Sequence, residues 1–106
     1  QKGSLKVFVI QSTDRRMTLE ETAKAKNISE EDLLHEMELI VQSGTRISID
    51  YILEDQLDED SIEEIMDYFS EESESGSIEE AAKDFDGAYS EEELRLVRLK
   101  FLCSIV

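Results

Sequence analysis

His35 and Cys103 are the only side chains of their kinds in this 106-residue chain. One Cys and one His cannot fill a tetrahedral zinc site, which takes four such ligands. A hydrolytic triad is not credible with the one His on an otherwise acidic helix. The phosphate-binding pattern G-x-x-x-x-G-K-[ST] and the dinucleotide pattern G-x-G-x-x-G are both absent. Cys103 sits in an apolar run and reads as a small core residue rather than a nucleophile. Carboxylates are plentiful, but acid–base catalysis needs them partly desolvated and with separated pKa values. Runs such as Asp58-Glu59-Asp60 read as solvated instead.

One carboxylate group has metal-like spacing. Asp84, Asp86, Gly87 and Glu93 fall at positions 3, 5, 6 and 12 of a calcium loop, with Tyr89 at the apolar position 8. Position 1 is Ala82, so the first ligand is missing. The plainer reading is a helix that ends at an Asp-Gly turn, followed by Ser90 capping the next helix through Glu93. No metal and no cofactor is therefore assigned to this chain.

The remaining candidates are cations. Lys6, Arg15, Arg16, Lys24 and Lys26 lie near one end, and Arg95, Arg98 and Lys100 near the other. Their setting is strongly acidic: the net charge is −16. It is also segregated. Residues 1–27 carry +3, residues 28–93 carry −22 and residues 94–106 carry +3. Nucleic acid draws cations by counterion release, so the acidic middle is a poor phosphate surface. Direct contact with nucleic acid or a partner is left to Arg15, Arg16, Lys24, Lys26, Arg95, Arg98 and Lys100. Scattered surface charge is the alternative reading of these residues.

These side chains must be positioned by helices. The chain has no Pro, four Gly and 40% hydrophobic residues, which supports one mainly α domain with a real core. Ser/Thr-x-x-acid boxes at Thr18–Glu21, Ser29–Asp32, Ser61–Glu64, Ser77–Glu80 and Ser90–Glu93 mark helix starts. The pattern predicts helices over about 4–16, 19–26, 30–43, 61–69, 78–85 and 91–105. Leu5, Phe8 and Val9 form the first stripe, widened by Val7 and Ile10. Leu94, Val97, Phe101 and Ile105 form the last, with Leu96, Leu99 and Leu102 beside it. Ile47 and Ile49 alternate with polar residues, which predicts a short strand or linker over 45–50. Residues 51–53 return to helix-like apolar density. The run EESESGS at 71–77 reads as a flexible loop. No run approaches the ~20 apolar residues of a membrane span, no signal peptide is visible, and the expected compartment is the cytoplasm. The chain opens on Gln1, and Met17 falls inside a helical pattern, so the expectation is a domain excised from a longer polypeptide.

Residues 18–44 are the most informative stretch. A short capped helix carries Ala23 inward, Asn27 supplies a turn, and a second capped helix is pinned by Leu33 and Met37. That is helix-turn-helix spacing. Gly44 with Ile47 and Ile49 would supply a rudimentary wing. The second helix would expose Glu30, Glu31, His35, Glu36 and Glu38. Groove readers place Arg, Lys, Asn or Gln there. The motif is therefore degenerate, a scaffold or protein contact rather than a base reader.

IQSTDRRMTLEETAKAKNIS, LIVQSGTRISIDYILED, EEIMDYF and EEELRLVRLKF resemble the C-terminal helix-turn-helix region of bacterial RecQ-type ATP-dependent DNA helicases, over about 6–101. The resemblance implies a parent that uses ATP and Mg to unwind DNA 3′ to 5′ in recombination and repair, in the cytoplasm and associated with the nucleoid. It implies that the other domains of that helicase are partners, with DNA reached through the parent. The motor's phosphate-loop lysine, acidic box and arginine finger, and the family's zinc-binding Cys cluster, have no counterpart here. The expected organisation is one domain over 1–106, with a helix-turn-helix core at about 4–53 and a helical part at about 58–106. The expected role is a non-catalytic accessory domain that assists substrate engagement or docking. The alternative is an acidic docking or autoinhibitory module that binds a basic protein partner and makes no DNA contact.

Overall fold

A computed structural model describes residues 2–105. Seven α-helices lie in this range: α1 (Lys2–Asp14), α2 (Leu19–Lys26), α3 (Glu30–Gln42), α4 (Asp50–Gln56), α5 (Glu59–Asp67), α6 (Ile78–Asp84) and α7 (Glu91–Ile105). A π-helical turn, Tyr68–Glu72, extends α5.

Local chemistry accounts for most boundaries. α1 stops at Asp14, two residues earlier than its pattern predicts, because Arg16 adopts a left-handed φ of 60°. Met17 N–H then bonds back to the Ser12 carbonyl, at 2.9 Å. α2 opens with a full capping box: Glu21 N–H donates to Thr18 Oγ1, and Thr18 N–H donates to Glu21 Oε1. Asn27, at φ 55°, closes it, and Ile28 N–H bonds to the Ala23 carbonyl. Ser29 then caps α3 through Asp32 N–H. The 27–29 turn thus satisfies both helix ends that meet there.

Two expected features are corrected. α5 does not start at a Ser61–Glu64 box. Asp58 is its cap, accepting from Ser61 N–H at 2.7 Å, and Ser61 lies inside the first turn. A carboxylate at the cap also answers the helix's positive end, which the hydroxyl three residues later does not. There is no wing either, for no strand occurs among the described residues. Ile47 and Ile49 are buried and Ser48 is exposed, as alternation requires. Their segment has no ladder partner. Residues 45–49 form an irregular link, and α4 begins at Asp50.

α7 is the central post. It packs against α3, α4, α5, α6 and the π-turn. Leu94, Leu96, Val97 and Leu99 are all fully buried, since a helix enclosed on several sides is apolar nearly all round. Its stripe fades toward the C-terminus, where Ile105 is 64% exposed. Val7 of α1 also points to solvent. α1 and α2 pack on α3, whose Leu33, Leu34, Met37, Ile40 and Val41 are buried. α3 therefore lies between the first two helices and α7. Tyr68 and Phe69 bury the π-turn, with Tyr68 5.0 Å from Phe85 and Phe69 6.2 Å from Phe101.

Candidate interaction surfaces

The α2–α3 pair forms the helix-turn-helix. In such motifs the N-terminal turn of the second helix meets the base edges. Here that turn carries Glu30, Glu31 and Asp32, all exposed. His35, Leu39 and Gln42 continue the exposed side. Glu36 and Glu38 are partly buried, which corrects the exposure expected for them. Leu39, 44% exposed, is an outward apolar residue that helical spacing did not single out.

Glu38 is turned toward α7. Arg95 reaches it with two hydrogen bonds, Nε to Oε2 at 3.2 Å and Nη2 to Oε1 at 3.3 Å. Both side chains are mostly covered, at 14% and 13% exposure. The bond to Glu38 raises the Arg95 pKa above its ordinary value, so the guanidinium stays charged. This staple joins the helix-turn-helix to the C-terminal part.

The other cations divide by element. Lys100 donates to Asp50 at 2.6 Å, and Arg98 donates to the Gly76 carbonyl at 3.3 Å. The three α7 cations are thus bonded to α3, to α4 and to the 73–77 segment. Toward the N-terminus, Lys26 of α2 lies over the Phe8 ring at 4.7 Å, and Arg16, in the turn after α1, lies over Tyr51 at 5.8 Å. Lys24 pairs with Glu20 one turn earlier, at 3.6 Å and well exposed. Arg15 is exposed beside Arg16. Lys6 contacts Ser43 at 3.4 Å. The N-terminal cations stand on α1, on α2 and in the turn between them, and the other three hold α7 in place.

The calcium-like residues are not gathered. Asp84 accepts from the Tyr68 hydroxyl at 2.6 Å, and Glu93 accepts from Ser90 N–H at 2.8 Å in a capping box. Among the described residues, no group of three or more His, Cys, Asp or Glu is placed to hold a metal ion. Burial and the bond to Asp84 push the Tyr68 phenol up to about 12, which keeps its proton in place. Cys103 is half-buried and approaches the Ile47 carbonyl at 3.8 Å.

Glu80 organises the segment after the π-turn. Ser77 caps α6 through Glu80 N–H, but the Glu80 side chain does not return to Ser77. It accepts from Ser75 N–H at 3.1 Å, Glu74 N–H at 3.3 Å, and the hydroxyls of Ser73 and Ser75. The Ser75 amide, with the Ser73 hydroxyl next, drops its carboxyl to about 2.

A cleft of about 620 Å³ opens between α4 and α5, with Lys100 of α7 at its edge. Leu53, Leu57, Ile62 and Met66 give it an apolar lining. Spacing on single helices did not reveal it, because its two walls come from different helices.

The described residues form an all-α domain built on a helix-turn-helix. Residues 3–53 match the model of the RecQ-1-like helix-turn-helix domain, and this part of the chain is a helix-turn-helix domain of that family. The match ends at Leu53, inside α4; α5, α6 and α7 lie beyond it. No curated protein matches the chain. No helix among the described residues is long and apolar enough to cross a membrane.

Proposed function

We propose that this chain is a non-catalytic accessory domain of a RecQ-like ATP-dependent 3′–5′ DNA helicase acting in recombination and repair. In that reading ATP and Mg are bound by the helicase motor, in the cytoplasm and at the nucleoid. The domain acts by docking, against other domains of the helicase or a basic protein partner, and α3 does not read duplex DNA.

The observation that carries this is the use made of α3. One flank is core, a second is stapled to α7 through Arg95, and its N-terminal turn presents three carboxylates. A carboxylate about 6 Å from a phosphate costs about 0.7 kcal/mol in water before screening. Several such pairs would outweigh a typical base contact, worth about 1–3 kcal/mol.

Titration of labelled duplex and single-stranded DNA with the 106-residue chain tests this. At physiological salt no binding is expected. At low salt, weak binding should fall with Arg15→Ala and Arg16→Ala and stay unchanged with His35→Ala. Tight duplex binding that His35→Ala abolishes overturns the docking reading. The accessory role has its own check. The parental polypeptide without this segment should still hydrolyse ATP when DNA is added, and loss of hydrolysis overturns it.

A further inference from the structure

We infer that the cleft between α4 and α5 is a docking groove for a cationic amphipathic helix of a partner protein. This rests on the docking reading above and names the chemistry of its partner.

The groove exists because α4 and α5 both pack on α7 rather than chiefly on each other. Leu57, in an extended conformation, and the Asp58 cap break the chain between them. The two helices splay, and apolar surface is left between. Leu53 at the bottom is buried, while Leu57, Ile62 and Met66 are half-exposed along the walls. α5 spends Ile65 on the core and turns Ile62 and Met66 toward the cleft. An apolar trough of this size falls in the range that binds other molecules.

The rim states the charge of the occupant. Asp50, Glu54, Asp58, Glu59 and Glu63 line the cleft against one cation, Lys100. Lys100 is already held by Asp50 at 2.6 Å. An apolar floor between acidic edges complements a segment with an apolar stripe flanked by Lys or Arg. Such charge matching steers encounter and suppresses acidic competitors.

Backbone hydrogen bonding states its conformation. The walls are helices, whose main-chain groups are already paired, and no strand edge exists among the described residues. An extended peptide would bury unpaired amides there, whereas a helix satisfies its own. The walls are α4, seven residues, and α5, nine residues. At 1.5 Å per residue they span about 10–14 Å, enough for roughly two turns of a partner helix. Its anchors should follow an i, i+3 or i+4, i+7 pattern.

The test uses the 106-residue chain and a labelled synthetic helix of roughly 14 residues, with Leu on one stripe and Lys elsewhere. A scrambled peptide of identical composition controls for the general acidity of the chain. At physiological salt the amphipathic peptide should bind at roughly 10 µM, and the scrambled one at least tenfold more weakly. Met66→Lys should weaken binding at least tenfold, as should Glu59→Lys combined with Glu63→Lys. Leu39→Lys, on the exposed face of α3, should leave it unchanged. Circular dichroism checks that each variant folds. If Met66→Lys does not, the rim pair decides, since both its residues are exposed. Equal binding of the scrambled peptide, or binding indifferent to the groove variants, overturns the groove while leaving the docking reading standing. Failure of the docking reading appears instead in the DNA titration.

Discussion

Breaking the Arg95–Glu38 staple tests how the two parts of the molecule are joined. The perturbation is a double-mutant cycle of Arg95→Met and Glu38→Gln. Methionine keeps most of the apolar stem, and glutamine keeps the shape of the acid. The magnitude follows from geometry. Exposed ion pairs contribute about 0.2–1 kcal/mol, and removing one partner of a fully buried pair costs about 3–5 kcal/mol. This pair lies between, with 14% and 13% of the side chains exposed. Its bonds, 3.2 and 3.3 Å, are longer than the ~2.7–2.9 Å of strong charge-assisted contacts. A coupling energy of about 1.5 kcal/mol is therefore expected. For a domain of this size that shifts the melting midpoint by roughly 6–12 °C. Urea denaturation followed by circular dichroism measures each corner of the cycle. High salt should remove less than half of the coupling, because the pair is mostly shielded. A coupling below ~0.5 kcal/mol would mean a surface ion pair in energy as well as chemistry. The claim that α7 holds α3 through this contact would then fail.

Glu80 supplies a pH dependence. Its folded pKa of about 2 lies below its ordinary value of 4.5. Its contribution is therefore complete above pH 4.5 and is lost as pH falls through about 2. Wild type and Glu80→Gln should differ in urea midpoint at neutral pH and converge near pH 2; a gap that persists there refutes the assignment. In the same variant, amide exchange at Glu74 and Ser75 should accelerate, since both donate to this carboxylate. Leu96 is fully buried on α7. Leu96→Ala should cost about 2–5 kcal/mol and lower the stability of all seven helices together. Hydrogen exchange showing α1, α2 and α3 unaffected would show that α7 does not unite the fold.

What was legible in the sequence is what local chemistry decides. Thr18, Asn27 and Ser29 specify the helix-turn-helix because each satisfies backbone groups within a few residues of itself. The order and approximate bounds of α2, α3, α6 and α7 follow from the same signals. The errors arise where a distant contact decides. Val7 has the same hydropathy as Val9, and only the placement of α2 and α3 leaves it outside while Val9 is buried. Ile47 and Ile49 alternate like a strand because they bury against the rest of the molecule, with no second strand to pair. Leu96 and Leu99 read as flanking residues until α7 proved enclosed on several sides. Of the cations, type and number were visible, but Arg95, Arg98 and Lys100 find partners between 22 and 57 residues away. No local pattern encodes such pairings.

The split between inner and outer faces of α3 separates what holds the motif's geometry from what its outer surface could bind. Packing against α1, α2 and α7 is specified by Leu33, Leu34, Met37, Ile40 and Val41. None of these would touch DNA. Base reading would require the opposite face, where Glu31, Asp32 and His35 stand, and that face contributes little to folding. Hydrophobic burial can therefore maintain the helix-turn-helix while the exposed charges change freely. The carboxylates of α4 and α5 continue the same sign of potential around an apolar cleft. On the proposed docking reading, that field would repel a duplex and draw in a cationic helix. One charge distribution would then serve both parts of that reading, disfavouring DNA and favouring a protein.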